Sequence, residues 1–299
     1  MADVFRTPDE RFDDLPDYAF EPRYVEVDGL RVHYVDEGSG DPIVCFHGEP
    51  SWAFLYRKML PLLVAAGRRV ICPDYAGFGR SDKPTDRGWY TYDRHVDLVS
   101  RVLDTLELSE ATVVVQDWGG PIGLRWAVEH EERVARLVIM NTGLFPVRRV
   151  SEGFMRWRNF AERNPDLPVG FVIQSATTTE LGDDVLRGYE APFPSPESKA
   201  GAAQFPLLVP LDEDQPGAAE MRAVNDELSR WQKPALVAFS DNDPVFPYPR
   251  AGQVLCDLIP GAGEQVRVEG AAHFLQEDRG ERIAEEILRF LGEPAPGDA

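Results

Sequence analysis

Eight residues, Val113-Val-Val-Gln-Asp-Trp-Gly-Gly120, restrict what this chain can fold into. Three successive β-branched valines read as a strand buried on both faces. Two glycines follow almost at once, where the chain must turn sharply and enter a helix. A single carboxylate, Asp117, stands at the apex of that turn. A carboxylate is ionised at neutral pH, so it can attack carbon without a base first removing its proton. Attack on an alkyl carbon would leave an ester joined to the chain. Beside it, Trp118 supplies an indole N–H with no acceptor capacity, which suits a departing anion.

The rest of the chain supports a sheet on which such a turn can sit. Tyr24 to Val27 and Leu30 to Asp36 flank Asp28-Gly29, a hairpin signal. Strand patterns follow at Ile43 to Phe46, Arg69 to Cys72, Thr112 to Gln116, Leu137 to Met140, Ala235 to Phe239 and Gln265 to Val268. Helical patterns lie between them at Trp52 to Ala66, Tyr92 to Leu106, Gly119 to His130 and Arg250 to Leu258, with a last one at Arg282 to Phe290. An antiparallel start followed by strand-helix repeats predicts an α/β fold, a mostly parallel eight-stranded sheet flanked by helices. The rhythm breaks between about Pro146 and Lys233, a stretch rich in Pro, Trp and Phe that lacks buried-strand runs. A helical cap inserted between two strands is the expected arrangement. This divides the chain into a core of residues 1–145 and 234–299 and a cap of 146–233, with 292–299 a frayed tail.

Composition excludes some classes. The 31 basic and 51 acidic residues give a net charge of −20, which disfavours nucleic-acid binding, because phosphate contacts need a basic surface. A soluble acidic protein from an Arg-biased genome is the simpler account of this balance, and a salt-adapted surface is its alternative. No apolar run approaches a membrane span, and the first ten residues lack the apolar region of a signal peptide. Cys45, Cys72 and Cys256 are odd in number and have no metal-ligand spacing, so reduced thiols in a cytoplasmic protein are expected, with no metal and no organic cofactor.

Three polar residues follow three different strands: Asp117, Asp243 and His273. In such sheets, groups outside the strands' carboxyl ends converge although far apart in sequence. Asp243 sits in Ser240-Asp-Asn-Asp-Pro-Val-Phe, and Asp241 competes with it. An Asp before Pro usually only caps a turn. A buried Asp accepting from the ring of His273 would instead fix its tautomer and stabilise an imidazolium. Asn141, after the preceding strand, occupies another place where an acid could stand and cannot carry charge. The chain order of nucleophile, acid and His resembles that of α/β-hydrolases, in which the strand-turn-helix is the nucleophile elbow, usually bearing Ser. The resemblance implies an oxyanion hole built from the backbone amides of Glu49, in His47-Gly-Glu-Pro50, and of Trp118.

A closer resemblance runs from about Arg6 to Phe290. The segments His47-Gly-Glu-Pro-Ser-Trp-Ala-Phe-Leu-Tyr-Arg-Lys-Met59, Gly79-Arg-Ser-Asp-Lys-Pro84 and Gln116-Asp-Trp-Gly-Gly120 look like haloalkane dehalogenases, in the branch whose two halide donors are both Trp. In that branch the first Trp follows the nucleophile, matching Trp118. The second lies in a Gly-Phe-x-x-Trp setting, matching Trp157 in Gly153-Phe-Met-Arg-Trp157. The runs Ala191-Pro-Phe-Pro194 and Phe205-Pro206 also look like that branch, and its acid follows the strand after the cap, in support of Asp243. The resemblance places Phe154, Phe205, Pro206, Val209, Val245 and Phe246 along an apolar pocket. Trp126 and Trp231 read as core packing. Val115 departs from the pattern, because the superfamily generally has a small residue two before the nucleophile.

The implied reaction joins a small halogenated alkane and water to give alcohol, halide and a proton. Asp117 would displace halide onto the indoles of Trp118 and Trp157, and water activated by His273 would then hydrolyse the ester. Epoxide hydrolysis shares the Asp nucleophile but needs acidic hydroxyls, for which only Tyr189 and Tyr248 stand in or beside the cap. A non-catalytic binding protein on the same fold is a third reading, against which the full nucleophile-acid-His set argues. Chain length, halogen, enantiomer and oligomeric state have no signature in the sequence.

Overall fold

The computed structural model describes residues 3–144 and 150–292. The expected core-cap boundary at 145/146, and residues 293–299 of the expected tail, lie outside them. Eight strands form one sheet: β1 (Arg23–Val27), β2 (Leu30–Gly38), β3 (Pro42–Phe46), β4 (Arg69–Pro73), β5 (Ala111–Gln116), β6 (Val134–Met140), β7 (Ala235–Ser240) and β8 (Val266–Val268). Their spatial order is β8-β7-β6-β5-β3-β4-β2-β1. β2 runs antiparallel to both its neighbours, β1 and β4, and all other pairs are parallel. Parallel strands covered by helices on both faces need apolar side chains pointing both ways. β5 meets that demand, since each of its six residues is buried.

Helices α1 (Leu60–Ala65), α2 (Tyr92–Asp104) and α3 (Gly119–Glu129) precede β6. Between β6 and β7 the chain builds α4 (Glu152–Arg163), α5 (Val169–Ser175), α6 (Asp183–Glu190), α7 (Ala200–Leu208) and α8 (Ala218–Leu228), with no strand among the described residues. This is the helical insertion that the sequence pattern led us to expect. After β7 come α9 (Arg250–Leu258), β8 and α10 (Leu275–Phe290).

Two helices differ from the sequence reading. The expected helix from Trp52 to Ala66 is split into a 3-10 turn at Ala53–Tyr56 and α1. Pro61 has no N–H to bond the carbonyl four residues back, so it can only sit in the first turn of a helix. The Arg57 side chain occupies the break, donating to the Phe54 carbonyl and to Glu277. The last helix begins seven residues earlier than expected, at Leu275. A kink at Arg279 (φ −144°, ψ 36°) separates the added turn from the periodic part, which is why periodicity alone does not reveal it.

Candidate active site

Asp117 joins β5 to α3 with φ +51°, a left-handed backbone rare for a residue with a side chain. Such conformations cost about 1–3 kcal/mol and persist where the surroundings dictate them. Here the amide of Asp117 donates to the Asn141 carbonyl at 3.0 Å, and Thr142 Oγ1 donates to the Asp117 carbonyl at 2.6 Å. Gly48 completes the fit, because a Cβ there would lie 2.4 Å from Asp117 Cβ. The departure at Val115 also has its explanation. A Cβ on Gly123 would meet Val115 Cγ1 at 2.7 Å, so the glycine on α3 makes the room that Val115 takes.

The sheet brings the three predicted groups together at its carboxyl edge. His273, in the loop between β8 and α10, places Nδ1 2.9 Å from Asp243 Oδ2 and Nε2 3.4 Å from Asp117 Oδ2. Asp243 Oδ1 accepts from the Val245 amide at 2.7 Å, which fixes the carboxylate. The competitor Asp241 points elsewhere, to Arg267 and the Gly270 amide, both at 2.9 Å. The Glu49 amide donates to Asp117 Oδ1 at 2.8 Å. Trp118 is the cap residue of α3, so its amide lies at the start of that helix.

Charge explains the state of the ring. Burial works against the imidazolium of His273, but the negative charge of Asp243 and hydrogen bonding to Asp117 and Asp243 outweigh it, and its pKa is raised to about 10. His273 is therefore protonated at neutral pH and lies between two carboxylates. Gln116 Nε2 stands 3.3 Å from His273 Nε2, but two donors cannot share a bond; the hydrogen bond it makes is to the His273 carbonyl at 3.1 Å. Burial, reinforced by the charge of Asp117, pushes the Glu49 carboxyl well above the usual carboxylate range. The same two causes oppose a second negative charge beside Asp117.

Asp117 and His273 open onto a cavity of about 390 Å³, with Glu49, Trp118 and Trp157 among its lining residues. Neither indole N–H of Trp118 or Trp157 has an acceptor among the described residues. Ser151 sets the position of Trp157: its hydroxyl caps α4 by accepting from the Phe154 amide at 3.0 Å and donates to the Val245 carbonyl at 2.7 Å. Phe154, Pro206, Val209, Val245 and Phe246 line the cavity as expected. Phe205 does not. It is buried behind Trp118, with ring centroids 5.1 Å apart, and also packs on Phe78 and His95. Consecutive residues on a helix point about 100° apart, and α7 turns Pro206 to the cavity and Phe205 into the packing behind Trp118.

Trp126 and Trp231 are buried, their N–H groups have no hydrogen-bond partner among the described residues, and neither lines the cavity. Neither candidate hydroxyl reaches it: Tyr189 donates to Glu277 Oε2 at 2.7 Å, and Tyr248 lies under Arg267, away from the lining. Asn141 ties β6 to the segment bearing His273, donating to the carbonyls of Ala272 at 3.0 Å and His273 at 3.2 Å. Sequence reading noticed Asn141 only for its missing charge and missed Gln116 and the Glu49 side chain altogether. Their one signal was adjacency to Asp117 and to the Gly-Glu-Pro turn. No group of three or more His, Cys, Asp or Glu residues among the described residues could hold a metal ion.

The family model of the alpha/beta hydrolase fold matches residues 41–280. Haloalkane dehalogenases of Psychrobacter cryohalolentis and Mycobacterium marinum are each 48% identical to this chain, over 96% of its length and 98% and 99% of theirs. The structure of the tetrameric haloalkane dehalogenase of Paraglaciecola agarilytica superposes with a TM-score of 0.90 at 34% identity, covering 95% of this chain and 97% of that one. With its mostly parallel sheet, inserted helices and Asp-bearing elbow, the chain belongs to the α/β-hydrolase fold family and, within it, to the haloalkane dehalogenases.

Proposed function

We propose that this protein hydrolyses small haloalkanes to alcohol, halide and a proton through an alkyl ester on Asp117. One observation carries the reading. Asp117, His273 and two indoles without protein acceptors share one largely apolar cavity, whose lining residues include no tyrosine. An epoxide hydrolase would need such a hydroxyl to protonate the opening oxygen, and a mere binding protein would not need the buried Asp243 behind His273.

The geometry gives each oxygen of Asp117 a part. Oδ1 accepts from the Glu49 amide, so Oδ2, which faces His273 at 3.4 Å, is the oxygen that attacks the carbon. As the C–O bond forms, the C–X bond breaks and the halide takes the electron pair. The N–H groups of Trp118 and Trp157 receive it, each such bond to an ion being worth about 1.5–3 kcal/mol net. The ester has no charge, so one of the two carboxylates that hold the proton on His273 is gone. His273 then releases its proton to solvent and becomes a base. It takes a proton from water, whose oxygen adds to the ester carbon, and negative charge develops on Oδ1 against the amides of Glu49 and Trp118. Collapse frees the alcohol and restores Asp117 and protonated His273. Asp243 orients the ring throughout.

In this reading residues 1–145 and 234–299 form the core that holds the triad, and 146–233 form the cap that supplies Trp157 and most apolar walls. No helix among the described residues is long and apolar enough to cross a membrane. We place the protein in the cytoplasm on its thiols, since Cys45 and Cys72 are buried and all three cysteines are unpaired. The test is release of halide from 1,2-dibromoethane, 1-bromobutane and 1-chlorobutane, run beside a panel of epoxides. Halide without diol is the expected result; diol without halide would overturn the assignment.

A further inference from the structure

The backbone of Ala272 and His273 is held by side chains from several elements. The Ala272 carbonyl accepts from Asn141 and, at 2.7 Å, from Ser240 Oγ; the His273 carbonyl accepts from Gln116 and Asn141. The Ala272 amide donates to Asp278 Oδ2 at 2.9 Å. Gln116 and Ser240 are the last residues of β5 and β7, and Asn141 directly follows β6. Asp278, on the first turn of α10, also holds the inserted helices. It accepts from the Thr178 amide on both oxygens at 3.0 Å and from the Thr179 amide on Oδ1 at 2.8 Å. Two further bonds join the same segments: Thr178 Oγ1 to the Gly270 carbonyl at 2.7 Å, and the Phe274 amide to the Ala176 carbonyl at 3.2 Å. The strapped segment continues directly from α5, whose Val172 and Ser175 line the cavity, as does Ala176 just after it.

We propose that Asp278 is a positioning residue through which the cap fixes His273 for the hydrolytic half of the reaction. A carboxylate can only accept, and here the Asp278 oxygens accept four hydrogen bonds from three backbone N–H groups on two segments, more than any other side chain supplies between them. The first half-reaction needs Asp117, the indoles and the pocket. The second also needs the His273 ring aligned with a water and the ester carbon. Release of the strap lets the Ala272–His273 segment shift against the cavity wall, which slows hydrolysis while leaving alkylation in place. The proposal rests on the covalent reading above.

The experiment uses Asp278→Asn, which replaces one acceptor oxygen by an NH2 donor and leaves an amide of the strap unpaired. Alkylation is followed as the halide burst, and ester hydrolysis as decay of the alkyl-enzyme mass. We expect a burst rate within about threefold of the parent and hydrolysis slower by on the order of 10- to 100-fold, the scale of a misplacement near 1 Å. The adduct then accumulates at steady state. A purely structural role would lower burst amplitude and turnover together without changing the adduct fraction, and that result overturns the proposal. Should Asp278→Asn fail to fold, Asp278→Glu replaces it, since the longer side chain keeps the charge but displaces both oxygens from the amides they hold, and an unchanged adduct fraction in that variant overturns the proposal equally. If His273→Gln forms no adduct, the covalent reading itself fails, and the two failures are distinct.

Discussion

His273 Nδ1 donates to Asp243 Oδ2 across 2.9 Å, and the opposite nitrogen of the same ring faces Asp117 Oδ2 at 3.4 Å. The nearer carboxylate fixes the ring. In the proposed reaction the farther one loses its charge on alkylation, and the ring's proton affinity falls with it.

His273→Gln should therefore release about one halide per active site and stop, because alkylation needs no base. Intact-mass measurement should show the retained alkyl group, and peptide mapping should place it on Asp117. Asp117→Asn should give neither burst nor adduct. Absence of an adduct with every substrate that the parent turns over would point to direct attack by water.

The ring itself can be titrated. In the free protein His273 should hold its proton to a pH of about 10, and Asp117→Asn should lower that value, as ester formation does in the proposed reaction. NMR of the imidazole across pH measures both. The linkage follows: a pKa raised on folding stabilises fully below the unfolded value near 6.5, and that contribution is lost as pH rises through about 10. An unchanged titration in Asp117→Asn would mean Asp243 alone sets the state of the ring.

Trp118→Phe and Trp157→Phe keep most of the ring volume and delete the N–H. Each should slow halide expulsion by on the order of 10- to 1000-fold and weaken halide binding, by analogy with removal of one preorganised donor. Trp231→Phe, in the core, should leave both unchanged. Wild-type behaviour of Trp157→Phe in a halide titration would remove Trp157 from the site.

Glu277 accepts from Arg57 at 2.7 and 2.8 Å and from Tyr189 at 2.7 Å, with Lys58 at 3.0 Å, in a buried network joining the turn before α1 to α6 and α10. Burial opposes the Glu277 charge, yet the bonds from Arg57 outweigh it and hold its pKa below the ordinary value. A lowered carboxylate stabilises above the unfolded value and loses that effect as pH falls through the folded one. Arg57→Met should cost about 3–5 kcal/mol, because it strands a buried carboxylate, with Lys58 keeping the loss near the lower end. Denaturant unfolding measures it; a loss under about 1 kcal/mol, the scale of a surface pair, would show that the network is solvated.

Features that are local or periodic could be read along the chain. The valines of β5, the carboxylate after them and the glycines beyond are a continuous run, so the elbow could be read directly. The alternation of strands and helices gave the sheet, and the absence of strand runs gave the helical insertion. Asp117 and His273 each follow a strand, and the resemblance supplied the partners.

Whatever depends on the direction of a side chain emerged with the packing of the segments. Asp241 and Asp243 are two residues apart with the same chemistry, and only the paths of β7 and β8 point one at His273 and the other at Arg267. Phe205 and Pro206 are neighbours, and the turn of α7 sends only Pro206 into the cavity. Asp278 meets Thr178 across 100 residues, a contact between the cap and α10 that no pattern within either segment encodes. Strand and helix periodicities arise from backbone hydrogen bonds and burial along one segment. Which side chains then meet is set by how separate segments pack, and for His273, Asp278 and the cap that was visible only in the folded chain.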